Sequence, residues 1–180
     1  MLRQLLLIRY FEEKAASLKA QLNGRAQVLA GVEGLTALAT DPEVDVVVVG
    51  TSGREALQPL LQAIEAGKRI ALASKELLVM AGELIMQRVR QRQTSLVPVD
   101  SEHAALFQAL HGVPREQVAR LVITGSGGPL WKRRDSWETV TRAEVLAHPK
   151  WAMGPKITVD SATLMNKGLE LIEAHWLFDM

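Results

Sequence analysis

An unbroken run of four valines, Val46–Val49, constrains the fold of this chain more than any other feature. Strands buried on both faces read as continuous β-branched runs, and such strands belong to parallel sheets covered by helices on both sides. A glycine-rich turn at 50–53, a helical pattern at 55–66 and an apolar run at 70–73 follow the valines. Strand, helix and strand at this spacing predict a βαβ unit with parallel strands and a right-handed crossover. We therefore expect an α/β protein whose first half is doubly wound.

The rest of the chain continues this alternation of apolar runs and helical stripes. The predicted strands lie at residues 5–10, 26–29, 96–99 and 121–124, with a β-branched strand at 157–159, and the predicted helices lie at 12–22, 34–39, 77–90, 104–111 and 142–147. A final helix is predicted to begin after Ser161 as its N-cap. Its apolar stripe should face a core and consists of Met165, Leu169, Ile172 and Trp176.

A polar break at 91–94 predicts two domains, at residues 1–95 and 96–180. Residues 130–156 contain three tryptophans, two prolines and mixed charge, with one short helical candidate. A long segment of this kind inside a compact domain is either disordered or a functional lid, and we favour a lid because binding loops are commonly of this type.

Composition limits the classes of ligand. The chain has 180 residues, 48% of them hydrophobic, and a formal net charge of +1. It can therefore bury a core, while its charge favours neither nucleic acid nor a membrane surface as a partner. It has no cysteine, so a bound metal would take oxygen or imidazole ligands. We expect a soluble protein of the cytoplasm.

Two carboxylates follow the strand predicted at 96–99. Asp100 and Glu102 are two residues apart, so an extended backbone would place both on one side, where like charges repel unless a cation joins them. Carboxylate oxygens favour Mg²⁺ or Mn²⁺. The alternative is that Asp100 or Ser101 only caps the following helix.

Two other strand ends carry groups suited to an anion. Residues 124–128 offer backbone N–H groups and two hydroxyls as a phosphate cradle, or they form a plain flexible turn. Lys75, between Ser74 and Glu76, could neutralise a substrate anion or lie on the surface, which is the commoner position of a lone lysine.

The final helix carries a polar face beside its apolar stripe. Asn166, Glu170 and Glu173 recur at four and three residues, and Lys167 precedes Glu170 by three. This face would suit an anionic ligand that carries a metal, or it is a solvated helix face with an ion pair.

In the predicted lid, His148 could donate to a phosphate while Trp151 and Met153 cover a cofactor. The alternatives are a solvated histidine and local packing of the other two side chains. The histidines at 103, 111 and 175 have no metal-site spacing and are interpreted as structural.

Five blocks in order closely resemble the signature blocks of the 1-deoxy-D-xylulose 5-phosphate reductoisomerase family. They lie at residues 73–76, 98–103, 124–129, 148–154 and 159–170. The resemblance extends from about residue 41 to the end, with Ser74 where the family usually has asparagine.

The resemblance implies a partial Rossmann-like NADPH-binding domain followed by an α/β catalytic domain with a lid. It implies a homodimeric enzyme that converts 1-deoxy-D-xylulose 5-phosphate to 2-C-methyl-D-erythritol 4-phosphate in non-mevalonate isoprenoid biosynthesis. The reaction would rearrange the carbon skeleton and then deliver hydride from NADPH, with a divalent metal, Mg²⁺ or Mn²⁺, on the substrate oxygens.

The same resemblance implies roles for individual residues. The metal would be bound by Asp100, Glu102 and Glu170. Catalysis would involve Lys75, Glu102 and His148. The sugar phosphate would be bound by Lys75, Ser101, Ser126, His148, Trp151, Ser161, Asn166 and Lys167. The cofactor would be contacted by Gly50, Ser74, Lys75, Glu76 and Met153.

The chain also departs from the family pattern. It lacks the Gly-x-Thr-Gly-x-Ile-Gly turn that meets the cofactor pyrophosphate, and the family continues past the Glu170 helix into a helical domain. We interpret the chain as a portion of such an enzyme. The alternatives are a truncated non-catalytic module that binds divalent metal and a sugar phosphate, or another dehydrogenase with a Rossmann-like domain.

Overall fold

The structure, a computed structural model, describes residues 17, 19–23, 27–51, 53–134 and 136–180. The chain divides into two compact units, Met1–Val99 and Asp100–Met180. The strand predicted at 5–10 lies outside the described residues. So does most of the helix predicted at 12–22, of which residues 17 and 19–22 are described and helical.

The first unit contains a three-stranded parallel sheet with strand order β1-β2-β3. Its elements are α1 (Gly31–Ala39), β1 (Val46–Val49), α2 (Leu57–Glu65), β2 (Arg69–Leu72), α3 (Lys75–Arg92) and β3 (Leu96–Pro98). The predicted βαβ unit with parallel strands is confirmed. The strand predicted at 26–29 is not formed in residues 27–29. The domain boundary predicted after residue 95 stays a prediction about the functional domains.

Apolar spacing explains the core of this unit. Leu60, Ala63 and Ile64 recur at helical spacing on α2, while Ile70 and Leu72 alternate along β2, and all five are at most 1% exposed. Such spacings put the side chains of a helix or a strand on one face. The helix and the strand therefore each present an apolar face to the core.

The expectation that both faces of β1 are covered is wrong for the described residues. Val46 is 43% exposed and Val48 is 58% exposed, whereas Val49 is 6% exposed. Side chains alternate across a strand, so only the face that carries Val49 is buried. An apolar run can specify a strand, but covering its second face depends on other elements.

The second unit is helical where it has regular structure. It contains α4 (Ser101–Ala109), α5 (Arg142–Leu146), α6 (Pro155–Ala162) and α7 (Met165–Phe178), with single 3₁₀ turns at Arg115–Gln117 and Trp137–Thr139. The strand predicted at 121–124 is not formed, because those residues make no ladder with any described strand.

The strand predicted at 157–159 is also wrong, since these residues lie within α6. Pro155 occupies the first turn, where its fixed φ suits a helix and its missing N–H costs no hydrogen bond. The Thr158 hydroxyl donates to the Gly154 carbonyl at 2.9 Å. Ser161, predicted as the N-cap of the final helix, therefore lies within α6 near its end. The N-cap of α7 is Leu164 instead, at a left-handed φ of 62°.

The orientation of α7 differs from the prediction, although Leu169 and Trp176 of the predicted stripe are partly buried. Met165 and Ile172 of the predicted core stripe are 56% and 43% exposed. Glu170 and Glu173, from the polar face, are fully buried. Burying a carboxylate is costly unless cations or donors surround it, so the partners of these side chains decide the orientation.

The described part of the segment 130–156, which is residues 130–134 and 136–156, makes specific local contacts. Thr141 and Glu144 make a capping box at the start of α5, and Arg133 donates to Glu144 at 2.8 Å and to Thr139 at 2.8 Å. The backbone and hydroxyl of Thr141, together with Arg133, lower the pKa of Glu144 to about 2. Movement of this segment as a lid stays a prediction.

No helix in the part of the chain that the structure describes is long and apolar enough to cross a membrane.

Neighbouring residues of α3 allow a test of the core. Ile85 is fully buried and Leu84 is 38% exposed. We expect Ile85→Ala to lower the free energy of unfolding by about 2–5 kcal/mol, because it leaves a cavity in the core. Leu84→Ala should cost less than about 1 kcal/mol. Urea denaturation followed by circular dichroism measures both, and equal losses would contradict this description of the core.

Candidate metal and anion site

Three carboxylates from two helices meet in the second unit. Asp100 is the N-cap of α4, Glu102 lies in its first turn and Glu170 lies on α7. One oxygen from each residue lies within 4.8 Å of the others. Three close carboxylates repel one another unless a cation joins them. The structure thus brings together the three residues predicted as metal ligands.

The two interpretations of Asp100 prove compatible. Its side chain accepts the Ser101 N–H at 3.0 Å as a helix cap, and it also belongs to the acidic cluster. The sequence argument from an extended backbone does not hold here, because Glu102 is helical. The cap is what places both carboxylates at the start of α4.

An ammonium group lies between two of these carboxylates. Lys167 Nζ is 3.1 Å from Glu102 Oε1 and also contacts Glu170 Oε2. Asn166 donates to the other Glu170 oxygen at 2.5 Å. The spacing of three and four residues puts all three side chains of α7 on one face. The cluster therefore accommodates a cation, and its oxygen ligands fit Mg²⁺ or Mn²⁺.

The surroundings of Glu102 favour its ionised form. Burial raises the pKa of this carboxyl group, but hydrogen bonds from Ser101 and Lys167 outweigh burial and hold the pKa below its usual value. The Ser101 hydroxyl donates at 2.5 Å. Glu102 is thus prepared to act as an anionic ligand.

Two residues beside this cluster, His103 and Glu173, were given no role at the metal site by the sequence: Glu173 was placed on the polar face of the final helix and His103 was interpreted as structural. Both are fully buried, and His103 Nδ1 lies 3.4 Å from Glu173 Oε2 and 3.8 Å from Asp100 Oδ2. The signal was present in the spacing, since each lies three residues after a predicted metal ligand on the same helix. Such spacing places side chains on one helix face.

A second cluster joins the loop at 124–129 to His148. His148 Nδ1 accepts the backbone N–H groups of Lys150 and Trp151 at 3.3 and 3.0 Å. Nδ1 therefore carries the lone pair, and the hydrogen of the neutral ring is on Nε2, which donates to Ser126 Oγ at 3.1 Å. Ser126 Oγ also accepts the Gly128 N–H at 3.4 Å. The ring N–H and the serine hydroxyl are both suited to an anion.

Two glycines bring this loop against the helices that carry the other predicted phosphate ligands. A Cβ on Gly125 would lie 3.2 Å from Lys167 Cε. A Cβ on Gly128, at a left-handed φ of 69°, would lie 2.7 Å from the Ser161 carbonyl oxygen. Only glycine allows such an approach together with that φ. Ser126, Ser161 and Lys167 are therefore held in one region.

The aromatic and thioether groups predicted to cover ligands are not part of these contacts. Trp151 is 63% exposed, and its described link to the site is its backbone N–H on His148. Met153 is partly buried. Contact of either side chain with a ligand stays a prediction.

The candidate residues of the first unit lie where two strands end. Gly50 follows β1, and the Ser74 hydroxyl, after β2, donates to the Thr51 carbonyl. Lys75 begins α3 and is 6% exposed, so its interpretation as a surface lysine is wrong. Glu76 follows in the first turn. Ligands of α/β proteins bind at such carboxyl ends of parallel strands.

The geometry of His148 predicts its tautomer. In ¹⁵N-resolved NMR spectra at a pH where the ring is neutral, Nε2 should show the shift of a protonated nitrogen and Nδ1 that of an unprotonated one. Exposed His111 serves as the reference for an unconstrained ring. A mixture of tautomers at His148 would contradict the assigned hydrogen bonds.

The position of Lys167 predicts competition between its ammonium and a metal. Lys167→Met removes a positive charge from beside Glu102 and Glu170, so it should strengthen Mn²⁺ binding several-fold. Lys156→Met is the matched control, because Lys156 pairs at 2.8 Å with Asp160, outside the cluster. Calorimetry measures both affinities. Weaker Mn²⁺ binding by the Lys167 variant would contradict the prediction.

Comparisons with known proteins cover both units of the chain. Residues 5–82 match the model of 1-deoxy-D-xylulose 5-phosphate reductoisomerase, and residues 96–178 match that of its C-terminal domain. The 1-deoxy-D-xylulose 5-phosphate reductoisomerase of Protochlamydia amoebophila is 50% identical over 169 residues, which are 93% of this chain and 44% of the relative. The chain thus spans less than half the length of that relative.

Solved structures give the same result. The enzyme from Zymomonas mobilis in complex with NADPH superposes with a TM-score of 0.82 at 42% identity, covering 94% of this chain and 44% of the other. A DOX-P reductoisomerase in complex with NADPH, fosmidomycin and magnesium gives a TM-score of 0.83 at 38% identity, covering 94% and 45%. On its sequence, its α/β fold and the acidic cluster at the start of α4, the chain belongs to the 1-deoxy-D-xylulose 5-phosphate reductoisomerase family.

Proposed function

We propose that this chain is the metal-binding and substrate-binding portion of a 1-deoxy-D-xylulose 5-phosphate reductoisomerase. The reaction would convert 1-deoxy-D-xylulose 5-phosphate to 2-C-methyl-D-erythritol 4-phosphate with NADPH as the hydride donor. The observation that carries the proposal is the meeting of Asp100, Glu102 and Glu170 within 4.8 Å, next to a loop suited to an anion.

The metal would be Mg²⁺ or Mn²⁺, held by these three carboxylates. Two features support this assignment. The cluster offers oxygen ligands, and it already holds one cationic group, the Lys167 ammonium, between Glu102 and Glu170. When bound, such a metal polarises a carbonyl oxygen and stabilises negative charge that develops on oxygen. The lowered pKa of Glu102 keeps that ligand ionised near neutral pH.

The chain's own residues would bind and orient the sugar phosphate. The His148 Nε2–H and the Ser126 hydroxyl, 3.1 Å apart, would donate to the phosphate oxygens. Ser161 and Asn166 would add further hydrogen bonds. Lys167 would contribute positive charge, and it would move from the carboxylates to the phosphate when a metal takes its place.

The remaining assignments come from the family. Ser101 would contact the substrate and Trp151 would cover it, while Lys75, Glu102 and His148 would take part in catalysis. Glycine and polar groups at the ends of β1 and β2 would meet NADPH, together with one residue of the lid; they are Gly50, Ser74, Lys75, Glu76 and Met153. A homodimer in the cytoplasm is the expected form of the whole protein.

The test is calorimetric titration of the 180-residue chain with 1-deoxy-D-xylulose 5-phosphate, with and without Mn²⁺, followed by NADPH absorbance in the same sample. We expect binding that requires the metal. Glu170→Gln should weaken Mn²⁺ binding at least about tenfold, because it removes a buried charged ligand. Glu138→Gln, which changes an exposed carboxylate outside the cluster, should leave it unchanged.

Each outcome separates the proposed function from its alternative. Metal-dependent binding with NADPH oxidation supports a reductoisomerase that acts within this chain. The same binding without oxidation supports a module that binds metal and sugar phosphate. A folded chain that binds neither Mn²⁺ nor the sugar phosphate would contradict both.

A further inference from the structure

We propose that His103 is a positioning residue for the metal site. It contacts two of the three metal ligands and does not bind the metal itself. This inference rests on the proposed function, because it concerns the same carboxylate cluster. Its starting point is the burial of His103 and Glu173, both 0% exposed. Neither side chain can reach a substrate from such a position, so any effect on the reaction passes through other residues.

One ring nitrogen of His103 holds the helix that carries Glu170. Nε2 lies 2.9 Å from the Glu170 carbonyl oxygen. A carbonyl oxygen only accepts, so Nε2 donates. This hydrogen bond joins α4, which carries Asp100 and Glu102, to the turn of α7 that carries the third ligand. The ring thereby fixes the separation between ligands from two helices.

The ring itself is held in place on its face. It stacks on Phe178 with a centroid distance of 6.2 Å and an interplanar angle of 5°. Phe178 is the last residue of α7. The ring therefore contacts α7 at two points, through Nε2 and through its face, which restricts its rotation.

The other edge of the ring faces Asp100 and Glu173. Nδ1 lies 3.8 Å from Asp100 Oδ2 and 3.4 Å from Glu173 Oε2. His103 thus contacts the side chain of one predicted ligand and the backbone of another. Residues that contact metal ligands orient those ligands, and substituting such a residue commonly costs about 10–100-fold in metal affinity.

A second cation among Asp100, His103 and Glu173 is the competing explanation, since these groups also lie within 4.8 Å of one another. One feature disfavours it. Mg²⁺ retains several water ligands, and the full burial of His103 and Glu173 leaves little access to water on that side.

The test uses substitutions that imitate one ring nitrogen each. His103→Gln can place its amide N–H near the Nε2 position and keep the bond to the Glu170 carbonyl, whereas His103→Asn reaches only the Nδ1 position. Exposed His111 provides the control, His111→Gln. The measurement is titration of the whole chain with Mn²⁺, following the free ion by electron paramagnetic resonance, with circular dichroism to verify folding.

We expect one Mn²⁺ per chain in the unsubstituted protein. His103→Asn should weaken Mn²⁺ binding about 10–100-fold, whereas His103→Gln should retain most of the affinity of the unsubstituted protein. The control His111→Gln should have no effect. If His103→Asn does not fold, Glu173→Gln tests the same arrangement with nearly unchanged volume. It should weaken Mn²⁺ binding severalfold, and an unchanged affinity overturns the proposal.

Other results have distinct meanings. Unchanged affinity in folded His103 variants overturns the positioning role and leaves the proposed function intact. Two Mn²⁺ per chain, falling to one in Glu173→Gln, overturns it in favour of a second cation. Failure of the unsubstituted, folded chain to bind Mn²⁺ overturns the metal assignment and this inference together.

Discussion

The second unit depends on how it stabilises buried carboxylates. Glu170 and Glu173 are fully enclosed, and an ionised carboxylate in such a place is very costly without partners. Lys167 and Asn166 bond the Glu170 side chain, and the His103 ring donates through Nε2 to the Glu170 carbonyl. These contacts determine which face of α7 is turned inward, and with it the position of the predicted metal ligands.

One consequence is an apolar surface on the outside of the same helix. With its polar face buried, α7 leaves Met165 56% exposed and Leu171 60% exposed. Hydrophobic burial would favour the opposite orientation. Charged and hydrogen-bonded groups therefore override hydrophobicity in this helix. Proteins commonly violate such local rules at functional sites, which agrees with the placement of the candidate site here.

The first unit follows the ordinary rules, and there the sequence was a reliable guide. From residue 31 onward its strands and helices appear where apolar periodicity puts them, within a few residues at each end, whereas the strand predicted at 26–29 is not formed in residues 27–29. In the second unit the apolar pattern predicted two strands that are not formed. Residues 157–159 are β-branched, yet they form a helix because Pro155 starts one and Thr158 bonds back to Gly154. Residues 121–124 are apolar, but they pair with none of the strands that the structure describes.

The sequence by itself determined the α/β class, the order of the elements in the first unit and, through five ordered blocks, the family and the predicted ligands. Local spacing is enough for these, because hydrophobic periodicity and sequence motifs are properties of short segments. Only the tertiary structure decided that α7 buries its carboxylates, that Lys75 is buried, and that His103 lies between Asp100 and Glu173. The contacts between α4 and α7 that carry the first and third of these join residues 65 to 70 positions apart, which no local pattern contains.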